Sequence, residues 1–279
     1  MPGDYLIRAM SRADLERAVD WAAAEGWNPG LNDAEAFYAA DPGGFFAGVL
    51  DGEMVASISL VAYDARFSFL GLYIVQQPHR GKGLGLKLWQ EALARHGTPL
   101  VGLDGVVAQQ ENYKKSGFQL AYRNVRYRGA VAGKASARLV AADRVPFDRL
   151  LAYDRQFFPA PRPGFLGRWI KPADGNALVA IADGEIAGFG VIRACLAGLK
   201  IGPLYASTER VAEELLIALA ATARGDTIYL DVPTPNVAAI RLAERLGMKP
   251  VFETARMYTG AQPDLPLTRL FGVTSFELG

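Results

Sequence analysis

At 279 residues the chain exceeds a typical single domain, and with 51% apolar and 21% charged residues it can bury an extensive core. Thirty Lys and Arg balance twenty-nine Asp and Glu at a net charge of +1 without a basic run, which excludes the phosphate-neutralising face of a nucleic-acid binder. A lone cysteine, Cys195, excludes an intrachain disulfide framework; with no basic-then-apolar leader in Met1 to Met10 and no eighteen-residue uncharged apolar run, the expectation is a cytoplasmic protein without membrane partners.

Ser11 and Asp14 form a capping box, and Leu15, Ala18, Val19, Ala22 and Ala23 mark one face of the helix it opens. Gly26 ends that helix, and Trp27-Asn28-Pro29-Gly30 follows as a turn. Phe45 to Val61 reads as two apolar strands joined by Asp51-Gly52, a dipeptide that accepts the positive φ angles of a type I′ turn. Phe69 to Val75 is a third strand, followed by a glycine-spaced turn and a helix with Leu84, Leu88, Trp89, Ala92 and Leu93 inward. After Gly97 come a strand from Pro99 to Leu103, a short helix from Gln109 to Ser116 closed by Gly117, and a strand from Phe118 to Tyr127. The order βαβββαβαβ is an α/β arrangement.

The pattern then recurs. Ala177 to Arg193 is a second hairpin with Asp183-Gly184 at its turn, Leu230-Asp231 matches Leu103-Asp104, and Leu246-Gly247-Met248 matches Ser116-Gly117-Phe118. A period of half the chain predicts duplicated domains and not a solenoid. The small, turn-prone stretch Gly129 to Ala135 is the expected join, giving units 1–130 and 136–279.

The strongest chemical signal is Gln77-Pro78-His79-Arg80-Gly81-Lys82-Gly83-Leu84-Gly85, between an apolar strand and an amphipathic helix. Glycines let successive amides crowd an anion, the helix N-terminus adds its dipole, and Arg80 and Lys82 add charge, so a pyrophosphate suits this turn. A Walker loop would need G-x-x-x-x-G-K-[ST], which is absent. A dinucleotide fingerprint would put its glycines at G-x-G-x-x-G after an early strand, whereas here they stand at Gly81, Gly83 and Gly85 behind three strands; Asp104, near the distance of a ribose-binding acid, keeps that reading as runner-up.

Arg80-Gly81-Lys82-Gly83-Leu84-Gly85 resembles the Q/R-x-x-G-x-G/A pattern of the GNAT superfamily of N-acetyltransferases, and Tyr113-Lys114-Lys115-Ser116-Gly117-Phe118 resembles that family's Y-E-K-L-G-F segment. The likeness covers Tyr5 to Arg128 and, more faintly, Arg138 to Leu278, as in a tandem GNAT protein. It implies two GNAT-like domains, each a mixed, mostly antiparallel twisted sheet flanked by helices, and an acetyl-CoA-dependent transfer to a primary amine. It further implies that Ile74 and Val75 bond the pantetheine arm, that Arg80, Gly81, Lys82, Gly83, Leu84 and Gly85 take the pyrophosphate, and that Tyr113 protonates the leaving thiolate. The resemblance further places the turn at Trp27 and Asn28 on the loop that in this family commonly lines the acceptor pocket, though as a turn it reads equally as an ordinary helix-ending turn. Where the family often carries Asn, seven residues before the tyrosine, this chain has Val106.

An alkylammonium with a pKa near 10.4 is about three units too protonated at neutral pH, a gap of roughly 4 to 5 kcal/mol, so a base or desolvation is required. Asp104 is a candidate, but Asp231 occupies the matching place in the second half, and a shared structural cap explains both. His79 and His96, with no HExxH spacing and read as surface residues, give no metal site.

In the second half, Ser207-Thr208-Glu209-Arg210-Val211-Ala212 stands where the first has its glycine loop, Glu209 replaces Lys82, and Ala243 replaces Tyr113. The second half is therefore read as degenerate: a substrate wall by preference, with a dimerisation surface (a homodimer) or a stabilising partner left open. The aromatic run Phe157 to Phe165 with Trp169 either faces the acetyl group or fills the second core. The competing function is a non-catalytic acyl-CoA sensor or assembly module.

Overall fold

The computed structural model describes residues 4–279, apart from the side chain of His96, whose predicted surface position lies outside the described residues. The chain opens with β1 (Tyr5–Ala9), α1 (Arg12–Ala24) and α2 (Asp33–Ala40), and continues through β2 (Phe45–Leu50), β3 (Glu53–Ala62), β4 (Phe67–Val75), α3 (Leu84–His96), β5 (Leu100–Val106), α4 (Gln110–Lys115) and β6 (Gln119–Ala130). The second half carries β7 (Leu139–Ala141), α5 (Phe147–Asp154), α6 (Pro163–Trp169), β8 (Gly175–Ala182), β9 (Glu185–Ala194), β10 (Leu199–Ala206), α7 (Glu209–Ala223), β11 (Thr227–Pro233), α8 (Val237–Arg245), β12 (Lys249–Tyr258) and β13 (Leu270–Gly272). Among the described residues no helix is long and apolar enough to cross a membrane.

Local chemistry sets these boundaries. The Ser11 hydroxyl accepts from the Asp14 amide and the Asp14 carboxylate accepts from the Ser11 amide, so the predicted capping box starts α1 and buries Leu15, Ala18, Val19 and Ala22. Both hairpin turns take the predicted handedness, with φ of 51° and 88° at Asp51-Gly52 and 51° and 80° at Asp183-Gly184. Asn236 caps α8 by accepting from the Ala239 amide and spends its NH2 group on the Thr268 and Leu270 carbonyls.

The expected mixed, mostly antiparallel sheet is present, and it is continuous: β1-β2-β3-β4-β5-β12-β6-β11-β10-β9-β8-β7. Parallel pairing occurs at β4 with β5 and at β10 with β11. One late strand of each half has crossed to the other, so that β12 pairs with β5 and β6 pairs with β11, the two lying side by side between them. The stretch Gly129–Ala135, read as the join, begins inside β6, whose Gly129 and Ala130 pair with β11, so in space β6 belongs to the sheet of the half that follows it. On one face, α1 and α2 share a core with α5 and α6; Phe37, Phe165 and Trp169 are buried there together. On the other, α3 covers the first half's strands and α7 with α8 the second's.

Two buried ion pairs lock the exchange. Asp104 on β5 receives two hydrogen bonds from Arg256 on β12, at 2.8 and 2.6 Å, and Asp231 on β11 receives two from Arg126 on β6, at 2.6 and 2.8 Å. Asn124 and Thr254 face each other near the middle of the β6–β12 pair. The shared structural role for Asp104 and Asp231 is what the geometry carries: each acid grips the strand donated by the opposite half.

Candidate active site

β4 and β5 run parallel only from Phe67 to Leu70 against Leu100 to Leu103. Beyond that, β4 bulges at Leu72, where φ is 46° and the register against β3 slips between Ser59↔Gly71 and Ser57↔Ile74. The strands part, and the wedge between them holds the site. Its outer portion is a cleft of about 1040 Å³, open mouth included, lined by Ile74 and Val75 on the strand, Arg80, Gly81, Gly83, Leu84 and Gly85 on the turn, and Tyr113 across from them. The structure therefore brings together every residue predicted for the coenzyme except Lys82, which is exposed and does not line the cleft.

The turn is shaped for an anion. Gly81 and Gly83 take φ of 75° and 77°, a region costly for residues with a Cβ. No side chain caps α3, and the amides of residues 81 to 86 have no hydrogen-bond acceptor among the described residues. Six amides left without acceptors at a helix N-terminus are the kind of feature that binds an anion. Arg80 is held ready on the same turn: its Nε donates to the Val75 carbonyl at 2.8 Å and its guanidinium pairs with Glu25 at the end of α1.

Behind the cleft lies a narrower, mostly apolar pocket of about 500 Å³, counted to its mouth. Leu70, Leu72, Leu103 and Asp104 come from the first half, and Phe252, Thr254, Phe276 and Glu277 from the second. Trp27, Tyr73, Val106 and Tyr113 line both spaces. Tyr113 stacks on Trp89, with ring centroids 5.8 Å apart, and burial, with the nearby Tyr73 second, pushes its phenol pKa up to about 12. It is thus a neutral hydrogen-bond donor throughout the physiological range.

The three predicted acceptor-side residues separate. Trp27 lines both spaces, and its carbonyl accepts from Arg126 of the exchanged strand. Asn28 lines neither; its amide group exchanges two hydrogen bonds with Ala197 of the second half, and its carbonyl accepts from Lys200 at 2.6 Å, so it anchors the turn that presents Trp27. Asp104 lines the pocket, but its oxygens are taken by Arg256 and by the Asn124 amide at 2.7 Å. Burial raises its pKa against the pull of Arg256 and Asn124. A carboxylate so engaged is a post, poorly placed to receive a proton from a substrate.

The corresponding wedge of the second half is full. β10 and β11 pair from Leu199 to Ile201 against Ile228 to Leu230, and where they part, β13 enters: Leu204 and Tyr205 of β10 pair with Gly272 and Leu270, and the Val273 amide donates to the Asp231 carbonyl. The chain's own backbone occupies the place that the first half leaves open. The degenerate turn conforms: Thr208 caps α7 through its hydroxyl, and Glu209 pairs with Arg245. The aromatic run of the second half is core: Phe158 and Phe165 are buried against Arg162, which is clasped by Asp154, and Phe157 stacks on Tyr205. The chain after Thr274 then crosses to the first half, where the Glu277 carbonyl lies so near Gly71 that a Cβ there would stand 1.9 Å from it. Sequence reasoning missed this crossing, which brings Phe276 and Glu277 to the site, and the strand exchange, which brings Phe252 and Thr254 on β12; none of the four carries a motif. No cluster of His, Cys, Asp and Glu able to hold a metal occurs among the described residues.

Two family models match: an acetyltransferase (GNAT) family model over residues 12–118 and an acetyltransferase (GNAT) domain model over residues 150–272. A holothin acyltransferase from Pseudoalteromonas sp. (strain SANK 73390) is 33% identical over 265 residues, covering 93% of this chain and 90% of the relative. A crystal structure of a Pyrococcus horikoshii protein assigned as an acetyltransferase superposes with a TM-score of 0.83 at 24% identity, over 99% of this chain and 96% of that one. A tandem GNAT protein from the clavulanic acid biosynthesis pathway superposes with a TM-score of 0.62 at 14% identity, over 93% of this chain and all of that one. The two structural likenesses show the fold alone.

Proposed function

Since the chain belongs to the GNAT acyltransferase family, with two GNAT domains in tandem, we propose that it transfers the acetyl group of acetyl-CoA to the primary amine of a small acceptor. Residues 1–130 hold the coenzyme in this reading, and residues 136–279 supply the far wall of the acceptor pocket. The observation that carries it is the turn of free amides at residues 81 to 86, beside an open strand edge and continuous with an inner pocket. Acetyl-CoA supplies the activated thioester. Amides 81 to 86 and Arg80 bind the diphosphate, the β4 edge at Ile74 and Val75 aligns the pantetheine arm, and Tyr113 donates a hydrogen bond to the departing sulfur.

The pocket's lining favours an acceptor with a compact, flat, apolar body: Trp27, Tyr113, Phe252 and Phe276 supply aromatic faces, and the Thr254 hydroxyl has no hydrogen-bond partner of its own. The Pseudoalteromonas relative is by name a holothin acyltransferase, so holothin heads the acceptor panel, followed by benzylamine, tyramine and aliphatic diamines. Thiol release from acetyl-CoA with one of these amines, and an acetylated product by mass spectrometry, is the expected result. Tight acetyl-CoA binding with no turnover on any amine would instead favour a non-catalytic acyl-CoA module.

A further inference from the structure

Acyl transfer at neutral pH leaves one task unassigned, the removal of a proton from the acceptor's ammonium. Asp104 is committed to Arg256 and Asn124. Glu277, on the segment that crosses from the second half, lines the same pocket, is 2% exposed, and among the described residues has no hydrogen-bond partner on either carboxylate oxygen. A buried carboxylate left without donors carries a heavy desolvation cost, and such a group marks a place where something else binds.

Arg126 on β6, Arg193 on β9 and Lys200 on β10 all feel the Glu277 charge. Arg126 is paired with Asp231 on β11 and Arg193 with Asp33 on α2, whereas Lys200 donates to the Trp27 and Asn28 carbonyls and, among the described residues, has no carboxylate within salt-bridge distance. Three cations thus face three acids, and Glu277 supplies the charge that balances Lys200 without touching it. The Glu277 oxygens meanwhile stay free of hydrogen-bond partners among the described residues.

We propose that Glu277 receives the acceptor's ammonium and takes its proton, making it the general base of the transfer; the inference rests on the acyl-transfer reading above. One N–H proton passes to the Glu277 carboxylate, and the freed nitrogen lone pair forms the N–C bond to the thioester carbon. As the C–S bond breaks, its electron pair leaves on sulfur, which gains the second nitrogen proton through the Tyr113 hydroxyl. Glu277 returns its proton to water when product departs, so the net yield is amide, free thiol and one proton. The second half then contributes a catalytic residue and not only a wall.

The test is thiol release with the best amine of the panel above, from pH 6 to 10, for the parent chain and for Glu277→Gln, Glu277→Asp and Glu277→Ala with added formate, beside calorimetric titration of acetyl-CoA. The expected result is a loss in kcat for Glu277→Gln of about a hundredfold or more at pH 7, narrowing towards pH 10 as the free amine accumulates unaided. Acetyl-CoA affinity stays unchanged, and Asp or formate restores part of the rate. Full turnover in Glu277→Gln, or a loss equal at every pH that neither Asp nor formate repairs, overturns the role of Glu277 alone. If Glu277→Gln does not fold, the Asp variant and the formate series carry the same decision. A parent chain that releases no thiol with any amine overturns the acyl-transfer reading beneath it.

Discussion

Asp104→Ala separates a structural acid from a catalytic one. The Asp104 carboxylate is fully buried, as is nearly all of Arg256, and the substitution strips that guanidinium of two charge-assisted hydrogen bonds at 2.6 and 2.8 Å and orphans the Asn124 amide. Removing one partner of a buried pair costs about 3 to 5 kcal/mol, which at about 2 to 4 °C per kcal/mol for a chain of this size lowers Tm by roughly 6 to 20 °C. Replacing both partners, as Asp104→Leu with Arg256→Met, removes the uncompensated charge and is expected to be more stable than Asp104→Ala. Thermal unfolding followed by circular dichroism gives the stabilities, and thiol release well below each Tm gives the turnover. Asp104→Asn, as a structural variant, keeps turnover within about tenfold once folded, against the roughly 10²- to 10⁴-fold loss of a missing base. The reasoning is refuted if Asp104→Ala unfolds within 1 kcal/mol or so of the parent, or if a fully folded Asp104→Asn chain is inert.

Tyr113→Phe is expected to lower kcat about 10²-fold or more while leaving acetyl-CoA affinity unchanged; because burial raises the Tyr113 pKa to about 12, the parent's pH–rate profile from pH 6 to 10 contains no limb from this phenol. Gly83→Ala forces a Cβ residue into φ of 77° at the cap of α3, a strain of about 1 to 2 kcal/mol that calorimetry reads as roughly a tenfold loss in acetyl-CoA affinity. The Arg8 guanidinium and Ser11 hold the Asp14 pKa well below the usual carboxylate range. That contribution to stability is complete above about pH 4, the unfolded value, and fades as pH falls through the lower, folded one. Asp14→Asn should therefore cost about 1 kcal/mol at pH 7, with the gap to the parent closing in acid unfolding titrations.

Wherever a signal was local, the sequence was legible. The Ser11–Asp14 box, the two Asp-Gly turns, the Asn236 cap and the glycine turn each act over a few residues, and their chemistry forces the conformations found. Strand exchange is different in kind, since β6 and β12 keep the same alternation whether they pair within their own half or across, and only the placement of Arg126 and Arg256 opposite Asp231 and Asp104 distinguishes the two. α2 was missed because Asp33–Ala40 is short and nearly without an apolar stripe, and β13 because three residues cannot show a period. Asp104 was singled out for its place at a strand end; β5 in fact runs on to Val106, and Asp104 lines the pocket while its carboxylate pairs with Arg256, 152 residues away. Glu277 is a lone acid in Thr274-Ser275-Phe276-Glu277-Leu278-Gly279, and nothing nearby in sequence marks it.

The claim on which the rest depends is that one wedge of the sheet binds coenzyme through main-chain amides and the other is filled by the chain itself. A crystal structure grown with excess acetyl-CoA tests it directly. The account predicts one molecule per chain, its diphosphate within hydrogen-bond reach of the amides of residues 81 to 86 and its thioester beside Tyr113. A diphosphate bound elsewhere, or a second coenzyme displacing β13 between β10 and β11, would contradict it.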